Sequence, residues 1–452
     1  METAREIVAA MRAAAPAGQA RLDGQVLGRL RDLTRSLLAA SPAAEAEYAR
    51  FLSVRRRQLD LPAAALAGWL RGRTVLVTGG TGCVGSALMR ELAACGPRRL
   101  VSVARGQTTG WPRAAGAEYV RGDVRDLPAL GSVIAAARPD VLFHLAAQRD
   151  PGLAEREVHR TVTTNVLGTR NLIAAAEQAG VRQVVCASTG KALRPYSPDV
   201  YAASKRAAEW LVAGAAARGA ACYSAARFTH VVDNSLIHRR LLSWRAAGVV
   251  RLHSPDAVFY VQSARESAQL LLSAGLAAQR GSFRVQAITD LGWPVSLLDL
   301  ALGVLRRARS DSPVYFSGYD RGYEDAPFPG WYDPRTAGGV SPLISALEAD
   351  QAAQAACGAA DVFPLALAAD PEADKLLLAL EETCEVCRDP AAVRAALDRL
   401  SWALLSAALR AAPRPVLARA AARAAPYRGR FGDVNVRLLA ELEQHVRAGP
   451  RA

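Results

Sequence analysis

Val75-Leu-Val-Thr-Gly79-Gly-Thr-Gly82-Cys-Val-Gly85 joins a short apolar run to a segment with helical spacing. Thr74–Thr78 shows no polar alternation, so it reads as a strand covered on both faces. The three glycines permit a tight turn, a bare backbone that another group can approach, and close packing of helix on strand. A pyrophosphate would then sit at the positive end of the helix opening at Val84. Gly79, Thr81, Gly82, Cys83, Val84 and Gly85 are therefore expected to hold a dinucleotide.

Beyond this turn, short apolar strands alternate with helices. Strands are expected at Thr74–Thr78, Leu100–Ala104, Glu118–Arg121, Val141–Leu145, Gln183–Ala187 and Tyr223–Arg227, with helices at Val84–Ala94, Pro128–Ala137, Thr164–Ala179 and Ala202–Ala217. That alternation predicts an α/β domain built on a parallel sheet. More irregular elements follow near Val249–Leu252, Phe259–Val261, Arg265–Ala278 and Phe283–Ala287. The predicted organisation is a helical N-terminal extension (1–72), the dinucleotide-binding domain with its substrate-binding portion (73–310), a loop rich in aromatics, Gly and Pro (311–343), and a helical C-terminal extension (344–452). The loop, with Tyr315, Phe316, Phe328, Trp331 and Tyr332, suits a lid or a wrap.

The end of the second strand chooses the ribose partner. An acid there would hold the free 2′-hydroxyl of NAD, whereas an Arg accommodates a 2′-phosphate. Val103-Ala104-Arg105 carries no acid, which favours NADP over NAD, with Arg113 and Arg121 as helpers. Asp123, before Val124, is placed either to accept from an adenine amino group or to cap the next helix. His144-Leu145-Ala146-Ala147 ends the fourth strand with small residues that let a cofactor pass.

Only three of the 56 Lys and Arg residues are lysines: Lys191, Lys205 and Lys375. Two of them fall in Ala187-Ser-Thr-Gly-Lys191-Ala-Leu-Arg-Pro-Tyr-Ser-Pro-Asp-Val-Tyr201-Ala-Ala-Ser-Lys205. Arg stays protonated, whereas a desolvated Lys can exchange protons. Tyr201 and Lys205 share a helical face, so the ammonium is expected to pull the phenol toward neutrality and fit it to take a proton from an alcohol.

The formal charge of +14 comes from Arg scattered among Ala and Leu, not from basic stripes interleaved with aromatics, so a nucleic-acid partner is not expected. The same bias resembles that of a GC-rich bacterial genome. Seven dispersed cysteines, and no apolar run of the roughly 20 residues needed to cross a bilayer, predict a reduced, soluble cytoplasmic protein without a membrane partner. Cys384-Glu-Val-Cys387 has no second pair, and no metal site is expected.

Thr-Gly-Gly-Thr-Gly-Cys-Val-Gly, Gly122-Asp-Val-Arg-Asp, Phe143-His-Leu-Ala-Ala, Thr164-Asn-Val-Leu-Gly-Thr, Ser188-Thr-Gly-Lys-Ala and Tyr201-Ala-Ala-Ser-Lys together resemble the extended short-chain dehydrogenase/reductases. Within them the chain is similar to the polysaccharide-biosynthesis branch of nucleotide-sugar 4,6-dehydratases and C5-epimerases, over roughly residues 73–290. The resemblance implies a Rossmann-type, doubly wound parallel sheet and a homo-oligomer, dimer or larger. It also implies roles. Thr189 would orient the substrate alcohol, Tyr201 accept the carbon-4 hydroxyl proton, and Lys205 hold the nicotinamide ribose. Asn165 would support the active-site helix, and Lys191 would remove the carbon-5 proton acidified by a 4-keto group. Arg149, Glu155, Arg227, His230 and Asn234 are the implied substrate contacts.

Two departures bear on the reaction. The dehydratases carry an Asp between Thr189 and Lys191 that protonates the departing hydroxyl, and this chain has Gly190, leaving Glu155, Asp150 or a water as substitutes. The diphosphate pocket has Arg227-Phe-Thr-His230 where the branch has Arg-Phe-Gly-Asn. Phe259 stands where an Arg is expected, with Arg239, Arg240, Arg245 and Arg251 as replacements. Three functions stay open: a nucleotide-sugar epimerase or dehydratase, a simple NADP-dependent alcohol–ketone oxidoreductase, and a cofactor-binding scaffold.

Overall fold

A computed structural model describes residues 3–19, 21–106, 110–323, 330, 331, 333, 340–365, 367, 369–430 and 433–447. Helices α1 (Ala4–Ala14), α2 (Gly24–Ala40), α3 (Ala44–Ser53) and α4 (Ala63–Leu70) precede strand β1 (Thr74–Thr78). Next come α5 (Cys83–Ala94), β2 (Arg99–Ala104), β3 (Glu118–Arg121), α6 (Leu127–Ala137), β4 (Val141–His144), α7 (Pro151–Arg156) and α8 (Val158–Val162). A π-helical turn, Thr163–Leu167, leads into α9 (Gly168–Gln178), β5 (Gln183–Thr189), a 3-10 turn (Gly190–Leu193), α10 (Val200–Arg218) and β6 (Cys222–Phe228). The middle of the chain holds β7 (His230–Val231), α11 (Leu236–Ala247), β8 (Val250–Leu252), β9 (Val258–Phe259), β10 (Val261–Gln262), α12 (Ala264–Leu276), β11 (Arg284–Ile288), β12 (Val295–Ser296), α13 (Leu297–Arg307) and β13 (Val314–Phe316). The last elements are β14 (Ala353–Gln354), β15 (Ala360–Pro364), α14 (Pro371–Val386), α15 (Pro390–Ala411), α16 (Arg414–Ala424) and α17 (Asp433–Arg447).

One compact unit contains residues 58–229, 265–290 and 326–452 and carries the whole main sheet, ordered β14-β15-β11-β6-β5-β4-β1-β2-β3. Strands β3 to β11 in that order are parallel, while β15 joins β11, and β14 joins β15, antiparallel. Every residue of β1 is buried, as an apolar strand between two helical layers should be. β1 has β2 on one side and β4 on the other, so the chain reverses its direction of travel across the sheet there. That reversal opens a crevice at the carboxyl ends of these strands. The glycine turn lies at its mouth. Among the described residues, no helix is long and apolar enough to cross a membrane.

A second unit contains residues 1–57, 230–264 and 291–325. Leu33, Leu37 and Phe51 from the N-terminal helices share one core with Leu241, Val250, Val295, Leu300 and Leu305. The Tyr315 hydroxyl donates to the Pro16 carbonyl at 3.0 Å, and Thr34 Oγ1 accepts the Val314 N–H at 2.9 Å. Residues 1–57 are therefore part of this unit's core instead of a separate lead-in running to residue 72, and α4 belongs with the sheet.

Two other expectations are corrected. Helices do not resume at Leu343: residues 353–364 instead extend the sheet through β14 and β15, because pairing with β11 outweighs the helical preference of Ala. Val314–Phe316, expected within a loop, pairs with β8. Phe328 and Tyr332 lie outside the described residues, whereas Trp331 is fully buried among Leu405, Leu409, Leu417 and Leu438.

Candidate active site

The turn after β1 is built as its glycines require. Gly79 has φ +76°, and a Cβ there would meet the backbone of Leu145 and Ala146 at 2.9 and 2.8 Å. A Cβ on Gly85 would run into the Gly79 carbonyl, so α5 packs directly on the turn. A Cβ on Gly82 would touch only the Gly79 oxygen, at 3.4 Å, and that position faces open space. Helix α5 starts from Gly82 without a side-chain cap, whereas Asp126 and Asp150 cap α6 and α7. An uncapped helix start behind a bare glycine fits a pyrophosphate. Gly79, Gly82 and Gly85 thus form one turn, with the backbone of Leu145 and Ala146 packed against it.

At the far end of the crevice, Arg105 is exposed just past β2. Partial desolvation of its guanidinium, then the charge of Arg160, lowers its pKa, with Asp123 opposing. Asp123 is held by Arg125, at 3.0 Å to Nε and 2.6 Å to Nη2. It does not cap α6, a place taken by Asp126. Val124 is buried and leaves no room for a side chain at Gly168, where a Cβ would lie 2.8 Å from it.

The catalytic candidates sit at the carboxyl end of β5 and the start of α10. The Thr189 hydroxyl lies beside the Tyr201 phenol, and its Oγ1 accepts the Lys191 N–H at 3.3 Å. Burial pushes the phenol above its ordinary value, against the neighbouring Thr189 hydroxyl and the charge of exposed Arg149. The expected fall toward neutrality under Lys205 is therefore not found in the protein alone. Burial also lowers the Lys205 pKa, against Cys186 and Glu209, and its Nζ donates to the Ala187 carbonyl at 2.8 Å.

Asn165 lies in the π-helical turn, a local departure from helix that is common at functional sites. Its amide donates to the Gln148 carbonyl and to Ser204 Oγ, both at 3.0 Å, and its Oδ1 accepts the Gln148 N–H at 2.8 Å. Ser204 in turn donates to the Tyr201 carbonyl at 2.9 Å. A residue that the sequence did not single out completes the connection. His144 bridges Thr78 (Nδ1, 2.8 Å) and Thr169 (Nε2, 3.1 Å), and Thr169 donates to the Asn165 carbonyl at 2.7 Å. Thr169's committed proton assigns the His144 proton to Nε2. Burial, with Lys205, pulls the imidazole down to about 3, so it is neutral. A continuous polar chain thus runs from the end of β1 to the start of α10.

Several implied substrate contacts are engaged elsewhere. Arg227 is fully buried, its guanidinium bonded to Glu209 at 2.9 Å and Glu348 at 2.8 Å, with Arg206 beside the same acids. Through these two acids it links β6 and α10 to the C-terminal segment. Glu155 accepts the Val200 N–H at 2.9 Å and pairs with Arg394 at 2.6 Å, and Asp150 caps α7. Neither is free to replace the missing acid. His230 and Asn234 belong to the second unit, where His230 contacts Ser235 at 2.6 Å and the Phe259 ring. Arg251 stacks over Tyr315. Among the described residues no cluster of three His, Cys, Asp or Glu could hold a metal, and Cys384 and Cys387 are free thiols.

A parallel-dominated sheet with a glycine turn at its switch point and a Tyr-x-x-x-Lys helix beside it defines the extended short-chain dehydrogenase/reductases. A family model described as polysaccharide biosynthesis protein matches residues 75–322, and the chain belongs to that family. It is 28% identical over 279 residues to the capsular polysaccharide biosynthesis protein CapD of Staphylococcus aureus, covering 58% of this chain and 46% of the relative. It is 29% identical over 172 residues to an inverting UDP-N-acetylglucosamine 4,6-dehydratase of Campylobacter jejuni, covering 36% of this chain and 50% of that protein. The chain thus spans about half the length of these curated relatives. The crystal structure of Pen from Bacillus thuringiensis superposes with a TM-score of 0.54 at 20% identity, covering 66% of this chain and 90% of that one, and shares the fold.

Proposed function

We propose that the protein is an NAD(P)-dependent nucleotide-sugar-modifying enzyme that oxidises a sugar hydroxyl and exchanges the proton on the neighbouring carbon. The observation that carries this reading is the placement of the Tyr201 phenol beside Thr189, with Lys191 two residues beyond Thr189. A nicotinamide bound along the glycine turn supplies the hydride acceptor. Thr189 orients the alcohol, Tyr201 takes its proton, and Lys205 supports the ribose and the phenolate. Lys191 then takes the proton from the carbon beside the new carbonyl and returns it to the other face; return of the hydride to the carbonyl carbon and of the Tyr201 proton to its oxygen completes an epimer of unchanged mass. NADP is the preferred form on the strength of Arg105. The substrate class rests on family membership and on what the relatives' names state.

Epimerisation is favoured over dehydration. A Cβ at position 190 would lie 2.7 Å from Leu343 Cδ2 and 3.5 Å from the Phe228 carbonyl, so a methyl group occupies the space of the missing acid. One observation favours the second reading, a plain alcohol–ketone oxidoreductase: Arg227 is committed to Glu209 and Glu348 and unavailable to a diphosphate. Incubation with UDP-, GDP- and dTDP-sugars, followed by mass spectrometry and NMR, separates these outcomes. An isomer of unchanged mass supports epimerisation, loss of water indicates dehydration, and net loss of two hydrogens indicates simple oxidation. Tyr201→Phe should abolish whichever reaction is seen, by about a hundredfold or more, with cofactor affinity kept.

A further inference from the structure

Val200 is the first residue of α10, and its N–H has no acceptor within the helix. The preceding Asp199 makes no capping bond, because its carboxylate faces Arg194 at 3.2 Å. The cap comes from a distant residue. Glu155 of α7, with only 4% of its side chain exposed, accepts the Val200 N–H through Oε1. Its Oε2 accepts from Arg394 Nη1 at 2.6 Å, and Arg394 Nη2 reaches the Glu155 carbonyl at 3.3 Å. Arg394 belongs to α15, in the C-terminal extension. The residue after Val200 is Tyr201.

The same extension grips the segment between Lys191 and Tyr201 at other points. The Tyr196 hydroxyl donates to Asp398 at 2.5 Å, and its ring meets Trp402 edge-on at 5.1 Å. The loop before the extension adds two contacts: Leu343 covers Gly190, and a Cβ on Gly330 would stand 3.2 Å from Leu193. Val200, Ala203, Ala207 and Trp210 of α10 share a core with Leu380, Leu397, Leu400 and Leu404 of α14 and α15.

We infer that the C-terminal extension is a brace for the catalytic segment, and that Arg394 is a positioning residue for Tyr201, acting through the Glu155 cap. Arg394 does not approach the reacting atoms. It fixes the carboxylate that fixes the first turn of α10, and so the direction in which the phenol meets Thr189. In its catalytic consequence the inference rests on the proposed role of Tyr201, but its structural half can be measured without any substrate.

The test uses the full chain with Arg394→Met, and Arg394→Lys as the conservative rescue. Amide exchange in the peptide spanning Ser197–Lys205 should accelerate about tenfold in Arg394→Met, as expected when a cap is lost, with the peptides of β1 and β4 unchanged. On a turned-over sugar, kcat should fall by a similar factor with the cofactor KM unaltered, and Arg394→Lys should restore most of both. Unchanged exchange at Ser197–Lys205 overturns the brace, whatever the activity. Exchange rising equally in β1 and β4 also overturns it, since that marks general destabilisation. If exchange changes as expected but no sugar is turned over by the wild type, the brace stands and the reaction assignment fails.

Discussion

Leu343 fills the space beside Gly190: its Cδ2 stands 2.7 Å from the point a Cβ at that residue would occupy. A side chain cannot be added there unless the Leu343 side chain shifts. Gly190→Asp, which restores the dehydratases' acid, should therefore lose about 1–3 kcal/mol of stability by overpacking and yield no dehydrated sugar. Combining it with Leu343→Ala should recover part of the loss. Thermal denaturation and product analysis check this, and a dehydrating Gly190→Asp of wild-type stability would contradict it.

Gly82 and Gly85 should separate binding from folding. A side chain at Gly82 meets only a 3.4 Å contact inside the protein but projects where a pyrophosphate would approach. Gly82→Val should fold normally and fail to bind cofactor in calorimetry. Gly85→Val should destabilise the protein instead, since it collides with the turn's own backbone. Tight binding by Gly82→Val would remove the turn from the cofactor site.

Arg105 should set the cofactor preference. It stands near Arg160 and Arg125, whose charges are offset by Asp123 and Glu157, and the proposed NADP preference rests on it. Arg105→Ala should weaken NADP by about tenfold to a hundredfold, the worth of a charge-assisted hydrogen bond, and leave NAD unaffected. Equal affinity for both cofactors in the natural protein would refute the preference.

Acid should destabilise the fold through Glu348 and His144. Burial raises the Glu348 pKa, but Arg227, Arg206 and the Ser345 N–H more than offset this and hold it at about 2 against an ordinary 4.5. Its contribution is complete above 4.5 and is lost as pH falls toward 2. His144 is held neutral down to about 3 while the unfolded chain takes up a proton below 6.5, so it too costs stability as pH falls through that interval. Glu348→Gln should lose about 3–5 kcal/mol at neutral pH, because Arg227 is left partly unpaired. In urea denaturation that deficit should shrink below pH 4.5, and a constant deficit down to pH 3 would contradict the assignment.

The sheet was legible because its signals are local. An apolar run, a glycine turn and a helical period identified β1 and α5, and Tyr201 and Lys205 declared themselves by spacing and by the rarity of lysine. The rest depends on contacts far apart in sequence. Thr164–Ala179 reads as one helix, yet it breaks into a π-helical turn at Asn165, whose amide is bound to Gln148 and Ser204. Arg227 looks like an anion-binding residue until Glu209 and Glu348 are seen beside it. Arg394, 239 residues from Glu155, is indistinguishable in the sequence from dozens of other arginines.

The proposed reaction turns on Lys191 as a carbon base, and solvent exchange tests this most directly. In deuterated water, the natural enzyme should place deuterium on the sugar carbon beside the oxidised centre. Lys191→Arg keeps the positive charge but has no proton to release at working pH, so it should bind the cofactor normally and incorporate none. Full turnover of the natural enzyme with no deuterium at any sugar carbon would contradict the account and leave a plain hydride-transfer enzyme.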